Sequence, residues 1–564
     1  MQEILETDVL VAGGGGGGCR AAIEAHDQGA QVLMIVKGPF GNSGCTLNVG
    51  TSTAIGPWSL DGDTTDSAMR DLLAHGGFVG NQDLARVLVD ESGDRVIEMQ
   101  GWGVDLDRNE DGSVVLHHAA AHSMTRNFRF TSSQISRHDY GLEPGIAIMD
   151  ALIYQMRDRG IRILDETALV DLLTSDGVVV GATGLDCRRG SLITIKARAT
   201  VLATGTYSQV FSPTTVSLHE TGDGHVAAFR AGADLIDMES TQFVATSAPY
   251  PPGSVFRNAL GEEFLARYGI AEAREVTKEE LCFAVWSEIR AGRGTDRETI
   301  LLDLTGVLRD KSLSDSLSLL LDENLRQAGS PYDESELAEL DPRKTPIHSA
   351  PRAHTTIGGI RIDADCATTV PGLFACGAVA GGVYGLARPE GYTSMITLVF
   401  GRRAGLFAAS AAASAGEPRF PRQAANIELS WLSNTDSKIG PNEVKGAVRE
   451  TTRKYGWVMK NEEGLGRALS EVRRLIESAS MPETRDGPAL LNALEARNML
   501  VSSELMFTCS IERKESRGAF FRDDYPATDN VHWLRNTICR QVDGEVVLET
   551  APVDLKYLSP MAEG

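Results

Sequence analysis

The sequence predicts an α/β protein with a parallel sheet at its core, and three observations carry that prediction. The chain opens with a strand–glycine-loop–helix–strand unit, in which six consecutive glycines join the first strand to the helix. A buried apolar segment near residue 200 ends in Ala203-Thr204-Gly205. A third apolar strand near residue 373 runs into glycine-rich turns.

The first unit reads "VLVAGGGGGGCRAAIEA" over residues 9–25. Before the glycines, Asp8 to Ala12 is a short apolar, β-branched run with the composition of a buried parallel strand. After them, Arg20 to Ala25 is a run of good helix formers. A flexible tether has no reason to sit between a buried strand and a helix. The register Gly13, Gly15, Gly18 fills G-x-G-x-x-G. The first glycine permits the tight turn, the second lets backbone approach a pyrophosphate, and the third lets helix pack on strand. The helix N-terminus then offers free N–H groups and a positive dipole end. A second strand over residues 31–36 completes the Rossmann-like unit, with Val36 where an acid for the ribose hydroxyls is expected.

A mostly helical region follows residue 56. Next comes a strand-rich stretch, "GIRILDETALVDLLTSDGVVVGATGLD", with an Asp-Gly turn. "ATVLATGTYSQVF" (199–211) and "TTVPGLFACGAVAGGVYGLARPEGYTSMITLVFGRRAG" then supply two further strand-to-glycine segments. An NAD-only domain does not need three such segments over some 400 residues. A long cofactor lying extended across the sheet does, so the predicted cofactor is FAD.

Bulk properties narrow the class. A length of 564 residues fits about three to four domains. The net charge of -23 argues against nucleic acid and anionic membrane as partners. No run of ~20 apolar residues predicts a membrane span. The strand begins almost at Met1, so neither a basic n-region nor a cleavage site is read, and the expected location is cytoplasmic. Eight scattered cysteines contain no C-x-x-C, which predicts reduced thiols and no iron–sulfur or zinc cluster in the chain itself.

Four stretches, "TGDGHVAAFRAGADLIDMESTQF" (221–243), "RAHTTIGGIRID" (352–363), "GLARPEGYTSMITLVFGRRAG" (385–405) and "RKESRGAFFRDDYP" (513–526), carry a resemblance to a known family. With the glycine loop, they make the chain similar to the flavoprotein subunits of succinate dehydrogenase, fumarate reductase and L-aspartate oxidase, with adenylylsulfate reductase α subunits more distant. The resemblance runs from about residue 6 to about 555. It implies a Rossmann-like FAD-binding domain over 1–240 and 345–410, an inserted α+β capping domain over 241–344, and a C-terminal helical domain over 411–564 ending in a small strand pair around an Asp-Gly turn at 543–544. Cap helices are expected in "KEELCFAVWSEIRAG" and "SDSLSLLLDENLRQAG".

The family interconverts saturated and unsaturated bonds beside carboxylates. Such chemistry needs cations and donors on the carboxylates, a proton donor at the reacting carbon, and a cap that excludes water. The resemblance places His354 and Arg388 on substrate carboxylates, a task for which a planar guanidinium is suited. Gly358 and Gly359 are expected to bring backbone close to flavin or substrate. Candidate cofactor contacts are Gly13, Gly15, Gly18, Lys37, Ser43, Gly44, Thr204, Gly205, Asp223, Gly377 and Thr393.

The sequence also departs from the family. The proton-donating arginine stands ten residues before the glutamate of "EIRAGRG"; here that position is Lys278, with Arg274 four residues earlier as the other candidate. The plainer alternative for both is a solvated face on a charged helix, "EAREVTKEEL". Val244 replaces a substrate-touching histidine, Ala378 a glutamate and Tyr392 an asparagine near the flavin. Residues 41–50 contain no histidine to tether a flavin, which implies non-covalent FAD.

The expected function is hydride transfer between flavin N5 and a C–C bond of a carboxylate, most simply fumarate/succinate. The expected partner is an iron–sulfur electron-transfer subunit. The alternatives are a stand-alone enzyme of the L-aspartate oxidase kind and a flavin-binding subunit with altered substrate or lost catalysis.

Overall fold

The structure, a computed structural model, describes residues 3–132, 143–246, 248–309, 330–416, 439–479 and 486–560. Its first strand, β1 (Glu3–Ala12), is apolar on both faces from Val9 to Ala12, where parallel strands flank it on both sides. Val9 to Ala12 are almost completely excluded from solvent. α1 (Gly16–Asp27) follows the glycine loop and β2 (Val32–Ile35) returns beside β1. The close fit of α1 to the loop has a steric reason: a Cβ on Gly18 would stand 1.9 Å from the carbonyl oxygen of Gly13.

Beside several two-residue strands, the first half also holds α2 (Thr65–His75), α3 (Gln82–Gly101), α4 (Glu143–Asp158), β3 (Arg162–Leu164), β4 (Thr167–Ser175), β5 (Val178–Asp186), β6 (Leu192–Leu202) and α5 (Asp223–Arg230). Then come β7 (Leu235–Ile236), β8 (Thr241–Val244), β9 (Val255–Arg257), α6 (Lys278–Glu288), β10 (Ile300–Asp303), β11 (Ile347–Ser349), β12 (Arg352–Thr356), β13 (Gly359–Arg361), β14 (Leu373–Ala375), β15 (Ala380–Gly381) and the long α7 (Tyr392–Ser414). The last segment holds α8 (Pro441–Tyr455), α9 (Glu462–Ser478), α10 (Gly487–Glu512), β16 (Arg535–Val542) and β17 (Glu545–Pro552).

The main sheet has seven strands in the order β3-β2-β1-β6-β5-β4, with β14 also pairing β6. β3, β2, β1, β6 and β14 run parallel, and β5 and β4 complete an antiparallel meander. α1, α7 and α5 pack on it, so the fold is α/β with a Rossmann-like core. β14 arrives some 170 residues after β6 yet pairs with its last residues, Thr200 to Leu202. Three strand ends therefore converge on one trough.

Between β6 and β14 the chain builds a second layer. β9, β10 and β11 form a three-stranded antiparallel sheet, β8 pairs β12, and α6 packs on β8. The expected helix over 272–281 does not form as one piece. Residues 272–277 make turns, and α6 begins only at Lys278. A capping box sets that start: Glu280 N–H donates to Thr277 Oγ1 at 3.2 Å, and Thr277 N–H donates to the Glu280 carboxylate at 2.8 Å. The second expected cap helix, 314–329, lies outside the described residues.

The terminal hairpin forms through Asp543 and Gly544, both at positive φ as a two-residue turn requires. It is not a free-standing pair. β16 joins β7, giving a five-stranded sheet β15-β13-β7-β16-β17. Gly358 and Gly359 serve this sheet rather than a ligand. A Cβ on Gly358 would meet the Asp237 carbonyl oxygen at 2.1 Å, and one on Gly359 the Val379 carbonyl oxygen at 2.3 Å. They let strands approach each other, and neither lines a cavity at the site.

"RKESRGAFFRDDYP" forms the buried clasp on this sheet. The fully buried Arg513 guanidinium donates to Glu239 at 2.5 Å and Glu515 at 3.1 Å, and lies 3.4 Å from Asp237. Arg517 donates to both oxygens of Glu515 at 2.7 and 2.8 Å.

Candidate active site

Three connected cavities run from the glycine loop outward. The innermost, about 120 Å³, follows the ends of β1, β2 and β6. Its wall is bare backbone at Gly13 to Gly17, with Lys37, Ser43, Gly44, Thr204, Gly205, Asp223, Gly377 and Thr393 around it. Gly13 has φ +115, and a Cβ there would stand 2.1 Å from the Ala203 carbonyl oxygen. The first glycine of the motif is thus required by both conformation and space. Gly16 N–H, at the start of α1, donates to Thr46 Oγ1 at 3.0 Å. Gly18 does not line the cavity; it acts behind it, at the helix–loop contact.

Lys37 is held from below. Its ammonium donates to Thr221 Oγ1 at 2.8 Å and pairs with Asp223 at 2.7 Å and Glu495 at 3.3 Å. Burial opposes its charge, but the two carboxylates outweigh burial and raise its pKa. Burial likewise opposes the Asp223 carboxylate, and Lys37 overcomes this and lowers its pKa. Asn498 of α10 donates to Asp223 at 2.9 Å, so the terminal helices brace the cavity floor.

The middle cavity, about 270 Å³, shares Cys45, Val49, Glu220, Ala378 and Thr393 with the first. His354 from β12, Lys278 from the start of α6 and Arg388 from the loop before α7 all line it. His354 Nδ1 is 2.8 Å from Thr215 Oγ1, which fixes the ring. Burial, then the Arg388 and Lys278 charges, push the imidazole pKa well below its ordinary value, so His354 is neutral. The Arg388 guanidinium has no hydrogen-bond or carboxylate partner among the described residues; burial lowers its pKa without removing its charge at neutral pH. Lys278 pairs with Glu390 at 3.4 Å. The Lys278 ammonium in turn lowers the Glu390 pKa against the effect of burial.

The outer cavity, about 350 Å³, shares Lys278, Arg388 and Glu390 with the middle one. Arg274 lines this cavity and not the middle one, and it is exposed on the turn before α6. The structure therefore brings Lys278, His354 and Arg388 together and leaves Arg274 apart.

The departures also resolve individually. Ala378 lines both inner cavities. Tyr392 turns away, and its hydroxyl donates to the Ala68 carbonyl at 3.4 Å. Val244 pairs with Arg352 in the β8–β12 ladder and lines none of the three cavities. Cys45 lies between the inner cavities with its thiol pKa raised by burial and by Glu220.

Several site residues were missed from sequence. Glu390 follows Arg388 by two and was legible as an acid in the quoted loop. Thr215, Glu220 and Tyr250 carry no local signal and are assembled only by the fold.

Comparison with known proteins gives a consistent picture. A family model described as an FAD binding domain matches residues 8–394, and one described as fumarate reductase flavoprotein C-term matches 445–564. The chain is 32% identical over 557 residues to a fumarate reductase (CoM/CoB) subunit of Methanothermobacter marburgensis, covering 95% of this chain and 97% of that one. It is 27% identical to L-aspartate oxidase of Streptomyces coelicolor, covering 99% and 96%. Its structure matches FrdA of Escherichia coli quinol fumarate reductase with a TM-score of 0.88 at 26% identity, covering 99% and 98%.

Proposed function

The chain belongs to the FAD-dependent oxidoreductase family of the fumarate reductase and succinate dehydrogenase flavoproteins, and from that premise we propose that Lys278, His354 and Arg388 act on an unsaturated carboxylate, most simply fumarate. The observation that carries the proposal is the convergence of these three side chains, from three separate stretches, on one cavity joined to the FAD cavity.

The residues present fit FAD. The glycine loop offers bare backbone where a side chain would collide, and three strand ends open on the trough. Backbone at Gly13 and Gly15, with Ser43, Gly44, Thr204, Gly205, Gly377 and Thr393, would hold the cofactor, while Lys37 and Asp223 brace its floor. Bound there, FAD supplies hydride chemistry to one carbon of the double bond.

The chain's own groups do the rest. Arg388 presents an unpaired guanidinium to a carboxylate and draws electron density toward it. Neutral His354, its Nδ1 engaged with Thr215, leaves Nε2 for a second carboxylate oxygen. Lys278 holds a proton on Nζ for the other carbon, and Glu390 at 3.4 Å positions that ammonium. Lys278 at the start of α6 and the loop carrying Arg388 and Glu390 wall the cavity on its outer side, where water has to be excluded during transfer.

Non-covalent attachment follows from the absence of histidine in residues 41–50 and the protonated Cys45 thiol. Denaturation in acid should release the flavin into the supernatant. Relatives bearing the word subunit in their names support a partner, which we take to be an iron–sulfur electron-transfer protein. No helix among the described residues is long and apolar enough to cross a membrane.

One anaerobic experiment tests the reading. The flavin is reduced with dithionite, excess reductant is removed, and fumarate is added while flavin absorbance is followed. Rapid reoxidation supports the proposal. No reoxidation by fumarate, combined with reduction of oxidised flavin by L-aspartate, replaces it with the amino-acid oxidase reading.

A further inference from the structure

The outer cavity has no task in the reaction just described. A four-carbon diacid is served by the middle cavity, where His354 and Arg388 stand. Yet the outer cavity is larger, about 350 Å³ against about 270 Å³, and opens directly into the middle one past Lys278, Arg388 and Glu390.

Its charges are unequally matched. Three cations, Arg274, Lys278 and Arg388, and two carboxylates, Glu279 and Glu390, line it. Glu390 is paired, while Glu279 is engaged through one oxygen and its buried Oε2 has no hydrogen-bond partner among the described residues. Glu390 pairs with Lys278 at 3.4 Å. Glu279 accepts from Gln242 Nε2 at 2.6 Å and lies 3.4 Å from His75 Nε2. Neither guanidinium has a hydrogen bond or a carboxylate within ion-pair distance among the described residues. A chamber with surplus positive charge and two guanidiniums without partners among the described residues is arranged for an anionic, hydrogen-bond-accepting group. The N-terminus of α6 does not produce this by itself, since its capping box already uses the N–H of Glu280.

We propose that the outer cavity is a second substrate subsite, which takes the distal acidic group of an unsaturated acid longer than a four-carbon dicarboxylate, with Arg274 as its cation. This deepens the function proposed above and rests on it. Arg388 stands at the junction and holds the carboxylate next to the reacting bond. Arg274, on the turn ahead of α6, reads what lies beyond it. The turn places it there because the Thr277 cap starts the helix four residues too late to include it.

The test is calorimetric titration of the FAD-loaded full chain with two unreactive saturated acids, succinate and propane-1,2,3-tricarboxylate. The tricarboxylate is expected to bind at least ten-fold more tightly than succinate. In Arg274→Ala that preference should fall at least five-fold, and in Arg274→Glu it should invert. Arg274 is exposed, so both variants should fold, and unchanged flavin content verifies this. Succinate binding as tightly as the tricarboxylate, or a preference that survives Arg274→Ala, overturns the proposal and makes the chamber a solvent passage. If neither acid binds, the carboxylate reading of the middle cavity falls as well, and the subsite with it.

Discussion

Lys278 shows how much one side chain depends on its neighbours. A lysine brings a compact ammonium where a guanidinium would bring a flat fork. Its direction is set by Glu390 on one side and by the first turn of α6 on the other. As the proton donor, it should contribute the general-acid share of the rate. Lys278→Ala is expected to slow fumarate-driven flavin reoxidation by about 10²- to 10⁴-fold in stopped flow, with a far smaller loss in Arg274→Ala. A second lysine behaves in the opposite way. Lys460 is buried, has no hydrogen-bond partner among the described residues, and sits 4.9 Å from the centre of the Phe520 ring. Burial, helped by Arg522, lowers its pKa to about 7. The unfolded chain keeps that proton up to about pH 10.4. Between those values the unfolded state binds more protons, so the native state loses stability as pH falls from 10 toward 7. Lys460→Met should therefore be more stable than the parent, with an advantage that grows by about 1.4 kcal/mol per pH unit over that range and levels off below pH 7. Urea denaturation at pH 7, 8.5 and 10 measures it; an advantage independent of pH contradicts the assignment. At this scale the sequence was partly legible. His354 and Arg388 stood out because their flanks are distinctive. Glu390 and Gln242 gain their partners, Lys278 and Glu279, only where stretches far apart in sequence meet.

Elements explain the misreadings. The stretch before Lys278 looks helical by composition, but composition does not locate a helix start. The Thr277–Glu280 pair does, and it was present in the sequence as T-x-x-E. Moving the start to Lys278 separates Arg274 from it and assigns the two residues to different cavities. The glycines of "TTIGGIRID" were misread for a similar reason: a glycine signals close approach without saying what approaches. At 358 and 359 it is strand backbone. At Gly18 the reading was sound, since strand, loop and helix were all visible in one local unit. Gly18→Ala would drive a Cβ against the Gly13 carbonyl and displace α1 from the loop. The variant should purify with less than a tenth of the parent's FAD per chain, measured by the flavin-to-protein absorbance ratio. Near-normal loading would mean that the loop yields without losing its grip.

The whole molecule is organised by connections no local pattern announces. The main sheet needs β14, and the five-stranded sheet takes strands from both sides of the cap and from the terminal hairpin. The Arg513 cluster locks that second sheet through three buried carboxylates, Asp237, Glu239 and Glu515. Burial, then Glu239, pushes the Asp237 carboxyl up to about 7 even with Arg513 beside it. Arg513→Met would leave the carboxylates uncompensated. It should cost about 3–5 kcal/mol, read as a lower urea midpoint, and a loss below 1 kcal/mol would show the cluster to be incidental. α/β class and the order of the motifs could be read in advance. The joining of the hairpin to β7 could not, because pairing between residues 235 and 539 leaves no periodic trace.

The pairing of β14 with β6 also sets a timetable for biosynthesis. When residue 202 leaves the ribosome, the glycine loop and four of the five parallel strands are already present, but their cofactor trough has no third wall. At about 5–20 residues per second, the ribosome needs roughly 10–35 s more to deliver residues 373–375. During that interval the edge of β6 beyond Thr200 has no partner on that side, and the nascent chain carries a half-built nucleotide site. FAD capture is therefore a late event, and free flavin acts on a chain that is largely made. Cells starved of riboflavin would accumulate full-length, unloaded protein rather than arrested fragments.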